Sequence, residues 1–171
     1  YRYHYILAQI YQELGMNEKA NENYSIVMRK NSNYEMVFNA RINMAQLYRS
    51  TQGSAKELQQ ELLKMLKDEK NLDFQDQIYY ALGAIERNQG FEDNALEYFK
   101  KSASVSTKNK FQKSQSYLAA ADIYFERPQY KNAQKYYDSA VSFLDKTYRD
   151  FTSIQKKSKN LNELVEYINI I

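Results

Sequence analysis

Residues 79–102 read YYALGAIERNQGFEDNALEYFKKS, and the reading of this stretch decides the fold. Gly83 and Glu86 stand three residues apart, and Ala95, Phe99 and Ser102 follow one another at steps of four and three. Those steps place residues on one face of a helix. Between the two runs lies QGFE, Gln89 to Glu92, a turn signal. The stretch therefore predicts a helix, a tight turn and a second helix.

Superposing the rest of the chain on this stretch finds three further copies. Glu86 has counterparts at Tyr11, Tyr48 and Tyr124, so the anchors are 37, 38 and 38 residues apart. Three residues before each anchor sits a small residue, Ala8, Ala45, Gly83 or Ala121, which lets two helices approach closely. Nine residues beyond the anchor come Ala20, Ala95 and Ala133, whereas the second copy reaches Leu58 only after one inserted residue. Tyr24, Leu62, Phe99 and Tyr137 follow, then Val27, Met65, Ser102 and Ala140. The turns within the pairs are LGMN, TQGS, QGFE and RPQY, and NSNY, KNLD and STKNK lead from one pair to the next. Pro128, the only proline, falls where Gly15 and Gly90 fall, so it marks a turn and ends the helix before it near Arg127.

A lone helix pair cannot bury both of its apolar faces, and stacked pairs form a solenoid. The expected fold is all-α, with four helix pairs at about 1–34, 37–71, 75–108 and 113–147 and an extra helix over 152–171. Leu161, Leu164, Val165 and Ile168 of that last helix need a partner surface, whether it caps the fourth pair or opens another. The chain opens inside an amphipathic pattern, YRYHYILAQIY, and ends in INII, so it reads as a fragment of a longer chain.

Composition narrows function. Four glycines and one proline disfavour a barrel or sandwich, and no run nears the roughly 20 apolar residues of a membrane span. The 24 basic and 21 acidic residues are intermixed, leaving net charge +3 and no strong field for nucleic acid. Lys156, Lys157 and Lys159 read as a solvated face. The absence of cysteine excludes disulfides, zinc ribbons and thiol catalysis but names no compartment. His4, the single histidine, reads as a packed or hydrogen-bonded imidazole, and the carboxylates show no ligand-like spacing. GFEDN at 90–94 lacks the pattern of a calcium loop, and neither a phosphate-binding glycine loop nor a nucleophile elbow occurs. No catalytic residue, metal or cofactor is expected, and the 17 tyrosines fall mostly on packing positions.

The pattern resembles the tetratricopeptide repeat, whose signature is Trp-x2-Leu-Gly-x2-Tyr, then Ala-x3-Phe, then Pro. Tyr79, Leu82, Gly83, Ala95 and Phe99 carry it in the third copy, His4, Leu7, Ala8, Tyr11, Ala20 and Tyr24 in the first, and Tyr117, Ala121, Tyr124, Ala133 and Tyr137 in the fourth. Arg41 stands where a large aromatic is expected and Glu86 where Tyr is expected, and these two could pair across repeats two and three. The final Pro is replaced by Ser32, Lys70, Thr107 and Asp145. The resemblance implies a right-handed α-α superhelix that binds a protein or extended peptide on its concave side. Carried over by position, the groove residues are Arg2, Tyr5 and Gln9; Asn39, Ile42 and Gln46; Gln77, Tyr80 and Ala84, with Arg87 one turn on; and Gln115, Leu118 and Asp122. The family's clamp for C-terminal carboxylates needs Lys in place of Tyr5 and Asn in place of Gln9, so a chaperone-tail adaptor is not expected.

More narrowly, the third and fourth copies running into KNLNELVEYIN resemble the repeat region of SprE/PorW-type lipoproteins of Bacteroidota, associated with gliding motility and type IX secretion. That implies a non-enzymatic scaffold on the periplasmic face of the outer membrane, anchored outside this fragment. The alternative is the ligand- or peptide-sensing repeat segment of a regulatory protein.

Overall fold

The computed structural model describes residues 1–30, 33–48 and 55–170, with side chains as far as 168. Among them are nine α-helices and no strand: α1 Arg2–Glu13, α2 Asn17–Arg29, α3 Tyr34–Gln46, α4 Ala55–Leu66, α5 Gln75–Asn88, α6 Glu92–Val105, α7 Lys110–Glu126, α8 Tyr130–Phe143 and α9 Phe151–Ile170. The chain is an all-α solenoid of helix pairs. The KNLD connection is wound into a 3-10 turn, Glu69–Phe74, whose start is held by Asp68 accepting from the Lys70 N–H at 3.1 Å. The TQGS turn lies outside the described residues.

Each element begins and ends for local reasons. Asn33 and Asn109 accept from the backbone N–H groups of Met36 and Gln112, at 2.9 and 3.0 Å, and so cap α3 and α7. Gly15 and Gly90 end α1 and α5 at φ +71° and +84°. Each glycine donates to the carbonyl three back, Gln12 or Arg87 at 3.0 Å, and the next residue donates to the anchor carbonyl, Tyr11 at 2.8 Å or Glu86 at 2.9 Å. Pro128 occupies the same place at φ +30°, and Gln129 N–H still reaches the Tyr124 carbonyl at 2.9 Å. Thus the anchor residue is the one whose carbonyl closes the helix. In the second pair α3 stops at Gln46, and its anchor Tyr48 lies past the helix end, although buried.

The core consists of clusters strung along the stack. Ala8, Ala20, Tyr24 and Val27 join Ala40 and Leu47 in the first. Phe38, Ile42 and Ala45 meet Leu62, Met65, Ile78, Leu82 and Ile85 in the second. Ala95 and Phe99 pack with Ala120 and Ile123, and Ala121, Ala133 and Tyr137 pack with Leu161. Every expected small residue is buried. Gly83 is the tightest, because a Cβ there would lie 2.7 Å from the Phe99 ring.

Polar side chains tie the stack. Tyr24 donates to Gln12 Oε1 at 2.8 Å and accepts from Asn43 Nδ2 at 3.0 Å, linking α1, α2 and α3. Asn88 Nδ2 donates to the Tyr48 carbonyl at 2.8 Å, and Arg87 pairs with Glu126 at 2.7 Å, joining the ends of α3, α5 and α7. His4 is hydrogen-bonded as expected, its Nδ1 lying 2.9 Å from Asn23 Oδ1. The expected Arg41–Glu86 pair does not form. Arg41 pairs with Glu61 of α4 at 2.8 Å, whereas the buried Glu86 accepts from Gln59 Nε2 at 2.7 Å and Asn94 Nδ2 at 3.1 Å. A carboxylate at this anchor is retained because two amides from the flanking second helices satisfy it.

Candidate functional site

Five of the expected groove residues come together from three helices. Ile42 and Gln46 of α3, Gln77 and Tyr80 of α5 and Gln115 of α7 line a cavity of about 340 Å³. Asn43, Asn109, Phe111 and Gln112 complete its wall. Sequence reasoning missed these four. Asn43 is one step off the positions carried over, and the other three belong to the start of α7, which has 17 residues against 14 in α5. The KNKFQ run at 108–112 was the available signal.

The floor beneath this cavity is a buried hydroxyl network. Asp76 accepts from Ser106 Oγ and from the Gln77 N–H, each at 2.8 Å, while Ser102 Oγ donates to the Asp76 carbonyl at 2.7 Å. Ser102 and Ser116 Oγ are 2.6 Å apart, and Ser116 donates to the Gln112 carbonyl at 2.8 Å. The network fixes the first turn of α5 and the first turns of α7, so it positions Gln77 and Gln112 on facing walls.

The wall is polar yet uncharged. Six of its nine residues are Asn or Gln and none is charged, in a chain that is 26% charged. Gln115 Nε2 is buried, and no group among the described residues accepts from it. Tyr80 lies 5.2 Å from the Phe99 ring, and burial raises its phenol pKa above the ordinary value.

The remaining expected residues are elsewhere. Tyr5 and Asn39 line a smaller hollow of about 190 Å³ beside Met36, with Tyr5 edge-on to Tyr24 at 5.8 Å. Arg2 and Gln9 are exposed on α1, and Ala84 is half-buried on α5. Arg87 is engaged with Glu126, and Leu118 packs in the cluster that holds Ile154 of α9. Asp122 accepts from the Tyr137 hydroxyl and lies 3.3 Å from Lys157 Nζ. Thus α9 covers Leu118 and Asp122, two of the three groove positions of the fourth pair. Lys157 also stands 4.5 Å from the Phe125 ring centroid, at the wall of a second, largely apolar hollow of about 380 Å³ that Leu161 and Leu164 help to line.

Among the described residues no group of three His, Cys, Asp or Glu could hold a metal ion, and no helix is long and apolar enough to cross a membrane. The tetratricopeptide repeat family model matches residues 76–109 and 114–143, the stretches that form α5 with α6 and α7 with α8. No curated protein matches the chain.

Proposed function

We propose that the chain is a non-enzymatic protein–protein interaction scaffold whose amide-lined groove takes an extended, uncharged stretch of a partner polypeptide. Tetratricopeptide repeats generally mediate protein–protein interaction, and two lie here. The observation that carries the reading is the composition of the groove wall. Each Asn or Gln offers a carbonyl acceptor and two N–H donors, which match the alternating donors and acceptors of a peptide backbone. Tyr80, Phe111 and Ile42 add apolar contact without charge. A carboxylate or phosphate finds no cation on this wall. Gln115, whose Nε2 has no acceptor among the described residues, is poised to donate to a backbone carbonyl.

We further infer a place in the bacterial envelope, as a link within a type IX secretion or gliding apparatus at the periplasmic face of the outer membrane. The similarity of the last repeat and its KNLNELVEYIN helix to SprE/PorW-type lipoproteins supports this. The anchor then lies in sequence beyond these residues.

Affinity capture from native cells tests both readings. The bait is the wild-type chain or a Gln46→Ala, Gln77→Ala, Gln115→Ala variant, with bound proteins quantified by mass spectrometry. Envelope secretion components recovered with the wild type and reduced at least tenfold with the variant are expected. Equal recovery overturns the groove, and recovery of cytoplasmic regulators alone overturns the envelope assignment.

A further inference from the structure

The hollow of about 380 Å³ between α7 and α9 is a second site, separate from the amide groove. Ser153, Lys156 and Asn160 of α9 line it, and they follow Gln115, Leu118 and Asp122 of α7 at the repeat interval of 38 residues. The hollow therefore opens on the same side of the stack as the groove that Gln115 lines. On α7, Leu118 and Asp122 stand between Gln115 and Phe125, which lines the hollow, and α9 covers both of them. No residue lines both sites. The face by which α7 meets α8 is a different one, with Ala121 packed on Ala133 and Tyr124 on Tyr136. Its counterparts on α9, Lys159 and Asn162, do not line the hollow. A helix packed on α9 as α8 packs on α7 would leave the hollow open.

The floor is apolar and the rim carries one uncompensated charge. Phe125, Leu161 and Leu164 form the floor, with Phe125 38% and Leu164 39% exposed. Lys157 is committed within the protein. Its Nζ lies 3.3 Å from Asp122 Oδ1 and 4.5 and 4.6 Å from the ring centroids of Phe125 and Tyr137, so its charge is balanced and its position fixed. Lys156 is exposed and has no ion pair among the described residues. Asn160, one turn on along the same helix face, has no side-chain hydrogen bond among them. Ser153 Oγ already donates to the Asp150 carbonyl at 2.9 Å. One ammonium and one amide are thus left to act on whatever the floor holds.

We propose that this hollow binds a small, free amphipathic monoanion, a carboxylic acid with an unbranched apolar body. The carboxylate accepts from Lys156 Nζ and Asn160 Nδ2, and the body lies over Phe125, Leu161 and Leu164. The argument is complementarity of charge and surface. One unbalanced cation matches a monoanion, whereas a phosphate dianion would bring a second charge with no partner. A purely apolar molecule would leave Lys156 without a counterion, and an inorganic anion would leave the floor wet. The volume lies within the range of small-ligand sites.

Decanoate is the probe, titrated into the full chain by isothermal titration calorimetry below its micellar range. One saturable site is expected. Lys156→Gln should weaken it about tenfold, the worth of one charge-assisted hydrogen bond, while Lys156→Arg retains it. Leu164→Asp should weaken it to a similar degree. Lys156 and Leu164 are exposed, so these variants should keep the parent circular dichroism spectrum and melting temperature. The Gln46→Ala, Gln77→Ala, Gln115→Ala variant should bind decanoate as the wild type does. Absence of saturable binding overturns the proposal, as does equal binding by Lys156→Gln or equal binding of decylammonium in place of decanoate. Loss of binding in the triple glutamine variant overturns it too, because decanoate then enters the amide groove. Adsorption of the wild type to phosphatidylglycerol vesicles, abolished by Lys156→Gln, would make the site a membrane contact and likewise overturn a free ligand.

Discussion

Pro128 sits at φ +30°, in a turn that α1 and α5 close with glycines at +71° and +84°. The pyrrolidine ring favours φ near −65°, and proline has no N–H for the inner closing bond that Gly15 and Gly90 donate. Backbone strain of this kind costs about 1–3 kcal/mol. Glycine returns about 0.4–1 kcal/mol of that through the freer unfolded chain. Pro128→Gly is therefore expected to stabilise the protein by about 1 kcal/mol, read as a higher urea midpoint. Ala133→Pro, inside α8 at a fully buried position, should cost about 3 kcal/mol or more. A midpoint lowered by Pro128→Gly would contradict the strain argument. The place of the proline was legible in the repeat register, where Gly15 and Gly90 mark the same turn; that the proline itself takes φ +30° is what the structure adds.

At the scale of elements, α5 packs on α6 where Gly83 faces the Phe99 ring. A methyl group there meets three ring carbons at 2.7, 2.8 and 3.1 Å. Alanine gains about 1 kcal/mol of helix propensity over glycine. Overpacking against a buried ring costs about 1–3 kcal/mol. Gly83→Ala should therefore lower stability, while Gly83→Ala combined with Phe99→Leu should recover most of the loss in chemical denaturation. A single variant as stable as the parent would mean that the helices can move apart freely. The helix pairs were legible because small residues and apolar steps recur. The Arg41–Glu86 pairing failed because charge at matching repeat positions says nothing of helix rotation: Glu61 and Gln59, from α4, the second helix of the second pair, reach the two groups first.

Across the whole molecule, tyrosines stitch neighbouring pairs and lose polar surroundings in doing so. Burial pushes Tyr24 up to about 12 and also raises Tyr5, Tyr80, Tyr98, Tyr136 and Tyr137 above the ordinary value. The folded state thus holds these protons more tightly than the unfolded chain, whose phenols titrate near about 10. Their contribution is complete below about pH 10 and is lost as pH rises through the folded values. The urea midpoint should stay level through neutral pH and fall between about pH 10 and 12. A midpoint unchanged at pH 12 would exclude this account. Five of the positions carried over from the family resemblance line one cavity. Leu118 and Asp122 were carried over to the groove because nothing in the pattern of four pairs revealed that α9 lies across them.

The uncharged wall of the groove also sets how its occupant arrives. With net charge +3 and no cation or carboxylate on the wall, the protein offers a neutral segment little electrostatic guidance. Encounter should then proceed at the roughly 10⁵–10⁶ M⁻¹s⁻¹ of unsteered docking. Between 50 mM and 500 mM sodium chloride, where the Debye length contracts severalfold, the association rate and the equilibrium constant should both stay within about twofold. Surface plasmon resonance with the captured partner measures both, and a steep salt dependence would move the contact from this wall to the charged exterior. A recognition surface built this way works equally well in dilute and in saline surroundings.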